Sequence, residues 1–134
     1  MGTLIDSSIF IAAERGDVDI RSALARLDPF ADCFISAVTV FELLHGVHRA
    51  NTPARRAARE AHAERFIREI PILAFDESAA RVLAPLDASL MASGNKLPIE
   101  DLMIAATALA HGHGIATRDT KSFPRIAGLK VDAW

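Results

Sequence analysis

An α/β architecture built on a mainly parallel sheet of four to five strands follows from three features of this 134-residue sequence. Short apolar runs alternate with helix-length amphipathic segments, the order expected of βαβ units. Polar or proline-containing junctions (Ser36, Thr52-Pro53, Asp76, Pro98) stand where helices should begin. The length and the 51% hydrophobic content suit one domain, residues 1–134, with enough apolar surface to bury a core.

The elements read in order as follows. Thr3 to Ile5 is the first strand, followed by a helix from about Ser8 that Arg15-Gly16-Asp17 breaks. Ile20 to Leu27 is helical again and stops at Asp28-Pro29. Cys33 to Ile35 is the second strand, and Ser36 caps a helix from Val38 to about His48. Thr52-Pro53 opens an Arg- and Ala-rich helix ending near Ile70. Ile72 to Phe75 is the third strand. Asp76 caps a helix through about Ala92, with a kink expected at Pro85, and Gly94-Asn95 closes it. Pro98 is preorganised for the first turn of a helix reaching His111. Gly114 to Thr117 is the fourth strand, and Gly128 to Val131 a short fifth at an edge.

Bulk properties narrow the function classes. Apolar runs such as Leu102 to Ala110 are too short to span a bilayer, and the N-terminus lacks a basic stretch followed by a long apolar core, so neither membrane insertion nor secretion is expected. The single cysteine, Cys33, excludes an internal disulfide and a CxxC pair, and fits a reducing cytoplasm. The net charge of −2 does not favour nucleic-acid binding by charge alone. Arg49, Arg55, Arg56, Arg59, Arg65 and Arg68 nevertheless crowd one stretch, interleaved with Glu60, Glu64 and Glu69. That pattern supports a solvated helix face with i,i+4 pairs or a phosphate-contacting face in which Arg55, Arg56 and Arg59 take part.

Four acids stand at comparable places. Asp6 follows the first strand, and Glu42 lies about a turn and a half into the helix after the second. Asp101 occupies the first turn of the helix opened by Pro98, and Asp119 comes two residues after the fourth strand. In an open parallel sheet, ligands bind beyond the carboxyl ends of the strands, so these four side chains can converge on one rim. Like charges brought together raise each other's pKa unless a cation intervenes. An oxygen-only set of this kind suits a hard divalent ion such as Mg²⁺, and thereby phosphodiester hydrolysis. Simpler roles exist: Asp6 as an N-cap, Asp101 with Glu100 complementing a helix dipole, Asp119 as a turn residue. Glu42, flanked by Phe41, Leu43 and Leu44, has no such simple role.

Other constellations are poorer. Glu42 and His45 form an E-x-x-H pair, but a di-iron site needs a second pair and none exists. His48 reads as a surface or interfacial residue, and His111 and His113 as helix C-terminal dipole partners ahead of zinc ligands. Neither a G-x-S-x-G elbow nor a Gly-rich phosphate loop is present. A haloacid-dehalogenase-like phosphatase would want a second aspartate where Ser8 stands. A receiver-like signalling domain would want an acidic pair at the first strand and a better-placed lysine than Lys121.

Three segments together resemble the PIN-domain family, and most closely the VapC-type ribonuclease toxins of toxin–antitoxin pairs. These are "LIDSSIFIA", "ISAVTVFELLHGV" and "LPIEDLMIAATALAHGHGIATRDTKSF". The last is long and specific, and the likeness runs from Leu4 to Phe123 at least. The resemblance implies an α/β/α sandwich and a Mg²⁺- or Mn²⁺-dependent endoribonuclease whose metal-binding acids are Asp6, Glu42, Asp101 and Asp119. It further implies Ser7 and Thr117 as hydroxyls orienting those carboxylates, an RNA substrate, a homodimer and a neutralising antitoxin protein. The chain departs from many relatives at Ser7, where Thr is common, and at Ser122, where an acid is common.

Overall fold

The computed structural model describes residues 1–26 and 32–134, so the expected stop at Asp28-Pro29 and the end of the second helix at Leu27 lie outside the described residues. Five strands, β1 (Thr3–Ile5), β2 (Cys33–Ser36), β3 (Ile72–Leu73), β4 (Gly114–Thr117) and β5 (Val131–Ala133), form one sheet in the order β3-β2-β1-β4-β5. Every pairing is parallel. The helices are α1 (Ser7–Glu14), α2 (Ile20–Ala25), α3 (Ala37–His48), α4 (Pro53–Glu69), α5 (Glu77–Ala92) and α6 (Ile99–Ala110), with a 3₁₀ turn at Phe123–Arg125. No helix among the described residues is long and apolar enough to cross a membrane.

Alternation along the strands divides the core in two. Leu4 and Ile115 point to a cluster with Leu90, Leu97, Leu102, Ile104 and Phe123, which packs α5 and α6 on one face. Ile5 and Ile35 point the other way, to Ile9, Phe10, Ile20 and Phe66 on α1, α2 and α4 and to Ile70, which caps α4. Helix α3 serves both, giving Val38 to the first cluster and Leu43 and Val47 to the second. Burial on both faces is what a period of two in a parallel sheet demands, and it makes the expected three layers.

Two strand boundaries depart most from the sequence reading. The third strand ends at Leu73 instead of Phe75, because its neighbour ends at Ser36, opposite Leu73, and turns into α3. The fifth strand is Val131–Ala133 instead of Gly128 to Val131: Gly128, at φ +80°, belongs to a turn, and pairing with β4 begins at Val131. Helix α5 runs from Glu77 to Ala92 with Pro85 inside it and no break in the helix there. At the other end of α6, Gly112 adopts φ +69° and lets His113 donate to the Ala108 carbonyl over 2.8 Å, which turns the chain into β4.

Candidate functional site: an acidic rim at the switch point

Strand order runs outward from β1 through β2 to β3, then resumes on the opposite side at β4. The crevice between the carboxyl ends of β1 and β4 is therefore the topological switch point of the sheet. Asp6 and Thr117 border it.

Asp6 is 4% exposed and caps α1. Its Oδ2 accepts from Ser8 Oγ at 2.6 Å, from Thr117 Oγ1 at 2.8 Å and, more loosely, from the Ser8 N–H at 3.4 Å. Capping and a site role are thus compatible, since Oδ2 takes these bonds and Oδ1 takes none of those found among the described residues. Thr117, fully buried, donates to Asp6 from the end of β4. Among the described residues the Ser7 side chain makes no hydrogen bond to Asp6; Ser7 is buried in the first turn of α1, where its side chain acts on Glu42. The hydroxyl that holds Asp6 from α1 belongs to Ser8, which the sequence reading did not single out. Its signal is an Asp-x-Ser spacing at a helix start, which any capped helix can share.

Glu42 is half-buried on α3, and its Oε1 is enclosed without a hydrogen-bond partner. Burial first, and then the charge of Asp6, push its pKa up to about 7; Ser7 opposes the rise, and Asp101 and Glu100 add to it. Asp101, in the first turn of α6, is raised to about 6 by burial and by Asp6, Asp119 and Glu100. Asp119 behaves otherwise. Partial burial works to raise it, but bonds to its Oδ1 from the backbone N–H groups of Ser122 (3.0 Å) and Lys121 (2.9 Å) outweigh burial and leave it lowered. It is the turn residue of its loop and shares the field of Asp101 as well.

The fold therefore couples all four acids electrostatically. It does not close them into a cage: among the described residues, no three His, Cys, Asp or Glu side chains stand close enough to hold a metal ion as they are. The donor chemistry still fits a hard divalent cation. The set is all oxygen, Glu42 Oε1 is buried and unsatisfied, and two of the acids are held above their ordinary pKa by burial and then by the charges of neighbouring acids. A cation would have to draw the carboxylates together.

The arginines are partly committed elsewhere. Arg59 Nη1 donates to the Gly46 carbonyl at 3.0 Å, and its Nε lies 3.5 Å from Glu14, so this side chain ties α4 to α3 and α1. Arg55 bonds Asn51 at 2.9 Å, while Arg56 is exposed. His45 stacks on exposed Phe41 at 5.5 Å. His113 is remote from the rim: its Nδ1 accepts from the Gly2 N–H at 2.9 Å and its ring stacks on Phe34, so it anchors the start of β1.

Fold and rim together define an α/β protein with an acidic site at its switch point. The comparisons with known proteins bear on the fold and the family. A model of the PIN domain matches residues 3–129. Ribonuclease VapC1 of Rickettsia felis is 34% identical over 131 residues, covering 98% of this chain and 95% of the relative. The tRNA(fMet)-specific endonuclease VapC of Shigella flexneri is 34% identical over 75% of this chain and 74% of its own. Among solved structures, VapBC-5 of Mycobacterium tuberculosis, a member of the VapBC family of toxin–antitoxin systems, superposes with a TM-score of 0.78 at 32% identity over 98% of this chain and 96% of that one. The chain belongs to the PIN-domain family, in its VapC ribonuclease group. Dependence on a divalent metal is general in that group.

Proposed function

We propose that residues 1–134 form a single PIN-like domain that hydrolyses RNA phosphodiesters as the toxin of a toxin–antitoxin pair, with Asp6, Glu42, Asp101 and Asp119 as its catalytic acids. The observation that carries this reading is the coupled acid set over the switch point, with Glu42 Oε1 buried and unpartnered. Asp6, Asp101 and Asp119 would hold Mg²⁺ or Mn²⁺, and Glu42 would share in it. Such an ion, when bound, supplies charge neutralisation at phosphorus and a more acidic water.

The chain's own groups do the rest. Glu42 would ligate the ion or orient the attacking water from α3; its pKa near neutrality belongs to the metal-free rim. Thr117 keeps Asp6 in one orientation from β4, and Ser7 moderates Glu42. Because water and not the ribose 2′-OH attacks, products carry 5′-phosphate and 3′-OH ends. Arg56, exposed at the start of α4, would meet phosphates, joined by Arg55 on release of its bond to Asn51; Arg59 contributes through α4 itself.

Two partners complete the proposal. A basic side chain of a cognate antitoxin would enter the acidic rim and compete with metal. A second copy of the chain would cover Phe41, Met91 and Ile99, large apolar side chains left 49–56% exposed on α3, α5 and α6. The setting is the cytoplasm. Cleavage of single-stranded RNA with Mg²⁺ or Mn²⁺, lost in EDTA and in Asp6→Asn, with end-group mapping of the fragments, tests the enzyme. Cleavage unchanged in that variant would remove the proposal.

A further inference from the structure

Two hydroxyls converge on one oxygen. Ser8 Oγ lies 2.6 Å and Thr117 Oγ1 2.8 Å from Asp6 Oδ2. Each hydroxyl also accepts a backbone N–H from the loop after β4: Arg118 to Ser8 Oγ at 3.0 Å, and Asp119 to Thr117 Oγ1 at 2.9 Å. A hydroxyl has a single proton, and an ionised carboxylate can only accept. Both protons therefore go to Oδ2, and the 3.3 Å approach of the two hydroxyls to each other is a contact without a shared proton. The result is a pair of parallel relays, each running from a loop N–H through a hydroxyl to the same carboxylate oxygen.

We infer that Ser8 is a positioning residue, whose hydroxyl locks the Asp6 carboxylate and the start of the Asp119 loop into one arrangement and so sets the affinity of the rim for a divalent cation. Thr117 alone cannot do this. It belongs to β4, and its relay reaches the loop at Asp119; the bond from Arg118 to Ser8 is the one that fastens the loop to α1. With Oδ2 occupied by both hydroxyls, Oδ1 is the oxygen of Asp6 left for a cation. Ser8 has no need to act through the helix cap, because its own N–H, and not its hydroxyl, makes that bond. The inference rests on the metal-site reading above and adds to it a determinant of binding.

The test uses Ser8→Ala and Ser8→Thr in the full chain, with amide exchange in EDTA and Mn²⁺ titration by calorimetry. In Ser8→Ala the Arg118 amide should exchange faster while that of Asp119 keeps its protection. Mn²⁺ should bind about 10- to 100-fold more weakly, the usual effect of removing a group that orients a ligand. Ser8→Thr, which keeps the hydroxyl, should restore both. Wild-type affinity for Mn²⁺ in Ser8→Ala, or unchanged Arg118 exchange, overturns the role of Ser8 while leaving the metal site standing. A wild type that binds no Mn²⁺ overturns the metal reading and this inference with it. If Ser8→Thr is too bulky for the helix start, its melting temperature in EDTA reveals this, and Ser8→Ala against wild type still decides.

Discussion

Thr117 Oγ1 donates to Asp6 Oδ2 over 2.8 Å, joining the end of β4 to the end of β1 across 111 positions of chain. Both residues are buried, and each lies where a strand gives way to the rim. Thr117→Val conserves shape and removes the hydroxyl. It leaves Asp6 with one donor fewer and the partly exposed Asp119 N–H without its acceptor, so unfolding in denaturant should show a loss of ~1 kcal/mol, the usual net worth of such a bond. A midpoint equal to that of wild type would show that water replaces the bond and that the link between β1 and β4 is incidental.

Arg59 and Arg56 should separate stability from RNA binding. Arg59→Ala removes the bond to the Gly46 carbonyl and the partly exposed pair with Glu14, and should lower stability by about 1 kcal/mol. Arg56 has no side-chain partner among the described residues, so Arg56→Glu should leave the melting temperature unchanged. If α4 meets phosphates, it should flatten the dependence of log K on log salt by at least about 0.7, the value of one single-strand contact. An unaltered salt slope in Arg56→Glu would make α4 a solvated or partner-binding face.

Much of the frame was legible because its signals are local. Ser36, Thr52 and Asp76 each accept an N–H at the helix start they mark, and the acids at strand ends fall on one rim because parallel strands share a direction. What the sequence hid depends on partners far away in the chain. The fifth strand starts at Val131 because the Ile115 N–H takes the Lys130 carbonyl, a fact of sheet register that Gly128 to Val131 does not carry. Arg59 sits in an alternation of arginines and glutamates that looks like surface pairing, yet its main partner is a backbone carbonyl 13 residues earlier. Ser7 and Ser8 are alike as letters; only the first turn of α1 decides that Ser8 reaches Asp6.

Asp101→Asn should distinguish a functional acid from a helix-dipole partner. Asp101 is raised to about 6 by burial and by neighbouring acids, so without metal its charge opposes folding at neutral pH. The metal-free variant should match or exceed wild type in stability, by ~1 kcal/mol once solvent screening of this half-buried group is allowed for. Mn²⁺ should reverse the order by stabilising the folded wild type alone. A variant that is destabilised in EDTA, beside a wild type indifferent to Mn²⁺, would return Asp101 to the helix dipole.

The same electrostatics fixes a pH dependence whose sign is unusual for acids. Glu42 rises from 4.5 to about 7 and Asp101 from 3.8 to about 6 on folding. Between about pH 4 and 7 the folded chain therefore holds more protons than the unfolded one, and the stability of metal-free protein falls as pH rises through that window. Asp19, Asp76 and Asp119, all lowered, contribute stability that is lost only as pH falls below their ordinary 3.8, outside the window. His113 acts inside it with the opposite sign: burial lowers its pKa below 6.5, so its neutral form favours folding as pH rises. Subtracting the Glu42→Gln curve from the wild-type curve removes His113 and isolates Glu42. In EDTA, wild type should gain about 3–6 °C relative to Glu42→Gln between pH 7.5 and 5.5, the equivalent of ~1 kcal/mol in a chain of this size after screening. The affinity for Mn²⁺ should move the other way and strengthen with pH over the same range, because the ion binds the ionised carboxylates. Parallel wild-type and Glu42→Gln curves would mean that Glu42 is ionised throughout, and the mutual repulsion of the rim acids would fall with them.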